Sequence, residues 1–185
     1  ILLALQHEVQ RKAPAGIPTV LSFGKMIADG AVNVIPDLVR LEGTFRTMNE
    51  PWREEAHALI RQVAESISSG MGGDASVEIR QGYPVLVNHE MLTGDARKKA
   101  VELLGAEKVE DLDIRMTAED FAWFARRIPG MLYRLGTGIP GAGDIHPLHT
   151  PGFMVDEESL RTGMSMLAFL TLELLPQALT YKDNK

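Results

Sequence analysis

Two histidines stand three residues apart in the segment His146-Pro147-Leu148-His149, and Asp144 precedes them by two positions. Neutral imidazole is the commonest metal ligand near neutral pH. Pro147 lies between the two rings, so they do not share a helical face. Both fall in residues 136–152, which hold five glycines and three prolines in seventeen positions. A loop longer than about 12–15 residues with no secondary structure of its own is usually functional or disordered. From spacing alone the pair is a weak metal signature, and two partly exposed loop histidines satisfy it as well. His7, His57 and His89 are expected on helix or junction surfaces, without a chemical role.

Other residue types could bind a ligand. Asn33 sits in Asn33-Val34-Ile35-Pro36, where Asn and Pro make a turn and the Asn carboxamide could hold a carboxylate or amide. Arg46 ends an alternating segment on its polar face. Its guanidinium fork suits a carboxylate, although a solvated Arg at a strand end is the commoner case. Glu119-Asp120 could be ligands or acid–base groups, but a place in the first turn of a helix explains them without chemistry. Gly136-Thr137-Gly138 could bring backbone N–H groups close to an anion, as a weak signal.

These residues need a scaffold, and 185 residues are enough for one domain or two small ones with a real core. Apolar residues make up 45% and charged residues 24%, which excludes global disorder. A formal net charge of −6 argues against a nucleic-acid surface. No apolar run approaches the roughly 20 residues of a membrane helix. Leu167–Leu175 is too short and contains Glu173, so no membrane partner is expected. The chain has no cysteine, so any metal must be held by His, Asp or Glu. A cytoplasmic location is expected. The opening Ile1-Leu2-Leu3-Ala4-Leu5 runs on as helix without a basic leader or a small-residue cleavage site, which suggests a fragment of a longer protein.

Hydrophobic periodicity predicts the elements. Residues 2–12 read as helix, closed by Pro14 and Gly16. Thr19, Leu21 and Phe23 alternate with Val20, Ser22 and Gly24 as a strand. A second strand spans 38–46, with Val39, Leu41 and Phe45 on one face and Arg40, Glu42, Thr44 and Arg46 on the other. Asn49-Glu50-Pro51 opens a helix carrying Ala56, Leu59, Ile60, Val63 and Ile67, ended by Gly70, Gly72 and Gly73. A third strand is expected over Ala75, Val77 and Ile79. This order predicts an antiparallel sheet with helices on one face.

A second block follows Tyr83-Pro84, with the junction at residues 83–90. Leu92, Ala96, Ala100, Leu103 and Leu104 form a helical stripe stopped at Gly105. Thr117 with Asp120 resembles a capping box for a helix through Phe121, Phe124, Ala125 and Ile128. Met131–Leu135 reads as a short strand. Asp156 caps a last helix, with Leu160, Gly163, Met164, Leu167, Thr171 and Leu174 expected on its packed face. The fold class is therefore α/β, with two blocks at 1–85 and 86–185.

A set of short motifs occurs in order along these elements. They are Gly30-Ala31-Val32-Asn33-Val34-Ile35-Pro36-Asp37, Gly43-Thr44-Phe45-Arg46-Thr47, Gly82-Tyr83-Pro84, Glu119-Asp120-Phe121, Pro129-Gly130, Leu135-Gly136 and Leu148-His149-Thr150-Pro151-x-Phe153 with Asp156-Glu157. The set resembles the di-metal amidohydrolase branch of the aminoacylase/carboxypeptidase family, from about Ile17 to Leu175. Hippurate hydrolase, indole-acetyl-amino-acid hydrolase and N-acetyldiaminopimelate deacetylase belong to that branch.

The resemblance implies that residues 1–85 are an N-terminally truncated lid, or dimerisation, domain. Residues 86–185 are then the C-terminal part of an α/β metallohydrolase catalytic domain. His149 matches the family's last metal ligand, with His146 at most its neighbour. Asn33 and Arg46 match lid positions that meet the substrate's carboxylate end, often across a homodimer, and Gly136 matches a loop glycine near bound substrate. Two divalent ions, zinc, manganese or cobalt, would lie about 3.5–4 Å apart and activate water against the amide of an N-acyl amino acid or small peptide.

The family's first histidine ligand, its bridging cysteine, its tandem glutamates, the next histidine and the lid histidine have no counterpart in this chain. The chain by itself is therefore expected to be inactive. The rival expectation is a non-enzymatic lid-like dimerisation or ligand-binding module. An upstream H-x-D and Glu-Glu pair would separate the two.

Overall fold

The computed structural model describes residues 1–139, 141 and 146–182. Asp144, one of the candidate ligands, lies outside the described residues. The chain forms two compact units, Ile1–Val85 with Ile114–Glu119, and Leu86–Asp113 with Asp120–Lys185.

In the first unit, α1 (Leu2–Lys12) leads into strands β1 (Thr19–Ile27) and β2 (Arg40–Thr47), followed by α2 (Glu50–Gly70). The strands pair antiparallel with Leu21 opposite Phe45, and a bulge at Phe23/Lys25 shifts the register. Asn49 opens α2 by accepting the Trp52 backbone N–H at 2.8 Å, and Pro51 stands where its missing N–H costs nothing. Both helices cover the sheet. Leu5, Val9, Trp52, Ala56, Leu59 and Ile60 form the core, with Leu21, Phe23 and Phe45 packed against it. The Trp52 indole N–H donates to the Thr19 hydroxyl at 3.0 Å, so the polar edge of a buried ring is satisfied.

The third strand does not form as expected. Ala75, Val77 and Ile79 alternate in burial with Ser76, Glu78 and Arg80, and Val77 and Ile79 reach the core. No ladder pairs them among the described residues. Alternation reports which side chains are buried, and an extended segment achieves that without a hydrogen-bonded neighbour.

The second unit is built on α3 (Glu90–Leu104) and α5 (Glu157–Leu174). Ala96 and Ala100 give α3 a low surface into which Met166, Leu170 and Leu174 pack. The stripe expected on α5 is displaced. Leu160, Met164 and Leu167 are exposed, and Ser159, Met166, Leu170 and Leu174 are buried. The helix carries two apolar stripes, and periodicity cannot choose between them.

The short α4 (Ala122–Ala125) ends before Ile128. Pro129 explains the early stop, because its ring would meet the carbonyl of residue 125 in a continuing helix. No side chain caps α4, so the expected capping box is not formed. Met131–Leu135, expected as a strand, has no ladder partner among the described residues. The C-terminal α6 (Ala178–Lys182) brings Tyr181, which is buried, to Asp95 of α3, with its hydroxyl donating at 3.2 Å. Among the described residues, no helix is long and apolar enough to cross a membrane.

Candidate functional site

His149 lies in a turn that its neighbours close. The Thr150 hydroxyl donates to the Pro147 carbonyl at 2.8 Å, and the Phe153 N–H donates to the Thr150 carbonyl at 3.1 Å. His149 has φ +67°, and it is the one non-glycine residue with positive φ among the described residues. A non-glycine residue in that region costs on the order of 1–3 kcal/mol, and such residues cluster at functional sites. The side chain is exposed. A backbone held against its preference while presenting an imidazole to solvent points to a task other than packing.

His146 is placed differently. A Cβ on Gly152 would lie 2.7 Å from the His146 ring, so the imidazole stands directly over the bare glycine. The absence of a side chain at 152 is what admits it. His146 is thereby seated on its own loop.

The His149 loop and the Gly136 segment converge on the start of α5. The Asp156 N–H donates to the Thr137 carbonyl at 2.9 Å, while the Asp156 carboxylate accepts the Glu158 N–H at 3.2 Å. Gly136, one residue before this anchor, is exposed, and an added Cβ there would meet only open space. Packing within the chain therefore does not require glycine at 136.

Arg46 is exposed and donates from Nη1 to the Met116 carbonyl at 2.9 Å. Met116 belongs to Ile114–Glu119, the piece that returns from later in the sequence to the first unit. One guanidinium corner is thus tied to backbone. Asn33 is exposed in the turn that Ala31 and Val34 close by mutual backbone hydrogen bonds of 3.0 and 3.2 Å.

The ladder does not bring Asn33 and Arg46 together. Arg46 pairs with Val20 near one end, and the turn bearing Asn33 leaves from the Ile27–Arg40 end. Six residues of strand, roughly 20 Å, separate Arg40 from Arg46.

Among the described residues, no group of three His, Asp or Glu could hold a metal. His149 can offer one ligand, but a stable zinc site needs three or four. Among the described residues, then, no complete metal centre is assembled. Glu119 and Asp120 fall on either side of a unit boundary and form no such group.

His89 was missed as a structural residue. Its Nδ1 accepts the Leu92 N–H at 3.3 Å and caps α3, while its ring meets Tyr181 edge-on at 5.9 Å. Its position immediately before a helical stripe was the available signal, but His is not among the favoured capping residues.

The site's setting is thus a two-stranded antiparallel sheet covered by helices in one unit, and in the other a pair of packed helices with an exposed histidine in a turn of positive φ. Residues 12–173 match the model of peptidase family M20/M25/M40, and the chain belongs to that family. It is similar to the N-acetyl-L-cysteine deacetylase of Bacillus subtilis, with 34% identity over 160 residues, 86% of this chain and 37% of the relative. It is also similar to IAA-amino acid hydrolase ILR1-like 5 of Arabidopsis thaliana, with 33% identity over 180 residues, 95% of this chain and 41% of the relative. Its fold matches the crystal structure of the Bacillus subtilis YXEP protein, described as a dinuclear metal-binding peptidase of the M20 family. That match has a TM-score of 0.73 and 27% identity, and covers 94% of this chain and 45% of the other. The chain therefore spans less than half the length of these relatives.

Proposed function

We propose that the intact protein is a metal-dependent amidohydrolase that cleaves the amide bond of N-acyl amino acids or small peptides. The observation that supports this reading is His149, exposed at φ +67° in a chain that belongs to a family with a dinuclear metal-binding member. Two relatives are named for N-acyl amino acids, N-acetyl-L-cysteine and IAA-amino acids, and this supports the substrate class. His149 supplies one ligand to a pair of divalent ions, zinc, manganese or cobalt, and residues outside this chain supply the others. The bound ions would provide the activated water. Arg46 and Asn33 hold the substrate carboxylate, and Gly136 lines its path. The 185-residue chain alone does not hydrolyse amides. The test is release of free amino acid from N-acetyl amino acids by the intact protein. Absence of release across a panel of acyl and side-chain types would reject the reading.

The same reading includes a homodimer through residues 1–85. In that dimer Asn33 of one chain and Arg46 of its partner would meet the same ligand. In an isologous dimer, Asn33→Ala and Arg46→Ala subunits would rebuild one complete site per mixed pair. Mixing the two impaired variants with subunit exchange is expected to raise activity to roughly a quarter of the wild-type value. No restoration, or a strict monomer by sedimentation at high micromolar concentration, would exclude the shared site.

A further inference from the structure

Met131–Leu135 forms neither helix nor strand and has no ladder neighbour among the described residues. Backbone groups in such a segment still require partners where water is kept away. The Asn88 side chain provides them. Its Nδ2 donates to the Leu132 carbonyl at 2.9 Å, and its Oδ1 accepts the Leu132 N–H at 2.9 Å. One planar carboxamide thus pairs with one residue's N–H and C=O, as a neighbouring strand would. Asn is suited to this because a single short side chain carries both a donor and an acceptor, whereas Asp at neutral pH can only accept.

Three further contacts hold the same strap. The His89 N–H donates to the Gly130 carbonyl at 2.9 Å, just before it. Leu135 seats on α5 where Gly163 has no side chain, and a Cβ there would lie 2.8 Å from Leu135 Cδ2. The Thr137 carbonyl then accepts from Asp156. Gly136 is exposed between the last two anchors, with nothing packed on it.

We infer that Asn88 is a positioning residue, whose carboxamide pairs with Leu132 and fixes the 131–137 strap so that Gly136 is presented to substrate. The inference rests on the proposed amidohydrolase function and on Gly136 lining the substrate path. It identifies the element that holds that glycine, and Asn88 itself touches no substrate.

The test uses the intact protein with Asn88→Ala and with the isosteric Asn88→Asp, which keeps the volume should alanine fail to fold. Hydrogen exchange is followed over 131–137 and, as an internal reference, over α3 and α5. Both variants are expected to speed exchange in the strap, about tenfold for alanine, with the two helices unchanged. With an N-acetyl amino acid, KM is expected to rise about five- to tenfold while kcat stays within about twofold. A merely structural role would lower kcat through loss of folded enzyme and leave KM alone. Unchanged strap exchange would overturn the inference, and so would faster exchange with an unchanged KM. Wild-type protein with no amide hydrolysis would instead reject the proposed function, and the exchange comparison would still decide whether Asn88 holds the strap.

Discussion

Replacing His149 by alanine in the intact protein is expected to abolish metal-dependent amide hydrolysis. The proposed site uses His149 as a ligand, and alanine offers no donor. A metal ion contributes several kcal/mol of transition-state charge stabilisation, so its loss costs on the order of a thousandfold or more in rate. The backbone makes the experiment discriminating. At φ +67° alanine is as strained as histidine, whereas glycine adopts that conformation freely. His149→Gly is therefore expected to be as inactive as His149→Ala and more stable by about 1 kcal/mol. Loss of activity with a gain in stability separates a ligand from a packing residue. His146→Ala, at the ring seated over Gly152, is expected to retain bound metal and most activity. Normal metal content and rate in His149→Ala would remove His149 from the site.

Arg46→Ala carries the second large effect. Its Nη1 is held by the Met116 carbonyl, and the exposed remainder of the fork is available to a carboxylate. A hydrogen bond to a charged group contributes about 1.5–3 kcal/mol, which is about ten- to a hundredfold in kcat/KM. The loss is expected with an N-acyl amino acid and not with its carboxamide analogue, since the amide carries no charge for the guanidinium to read. An Arg serving only the Met116 contact would change stability by at most about 0.5 kcal/mol and treat both substrates alike. Equal losses on the two substrates, or none, would mean that Arg46 does not read the carboxylate.

What could be read from the chain divides along physical lines. The first and second helices were legible because Pro14 and Gly16 end one and Asn49 and Pro51 start the other, all local devices. The β1–β2 pair was legible from alternation. The third strand was not, because Val77 and Ile79 satisfy the same pattern by packing on the core without a ladder. Periodicity does not select the packed face of α5, because Leu160, Met164 and Leu167 are as apolar as Met166, Leu170 and Leu174. Only the small surface of Ala96 and Ala100 selects between them. In the site, His149 was visible only through the motif around it, since spacing alone gave a weak signal. The return of Ile114–Glu119 to the first unit and the Arg46–Met116 bond are contacts across 70 positions, and no local pattern encodes them. The role of Asn88 was hidden for the same reason, because its partner Leu132 lies 44 residues away.

In the proposed enzyme His149 is one ligand of a metal pair whose other ligands lie outside residues 1–185. The most direct measurement follows amine release from an N-acetyl amino acid by the intact protein before chelation, after chelation and after return of zinc, manganese or cobalt, with bound metal counted at each stage. Two ions per chain are expected in the active state, with loss of hydrolysis when they are stripped and recovery on return of at least one of the three metals. Hydrolysis that persists undiminished in the metal-free protein would contradict the proposed metal dependence.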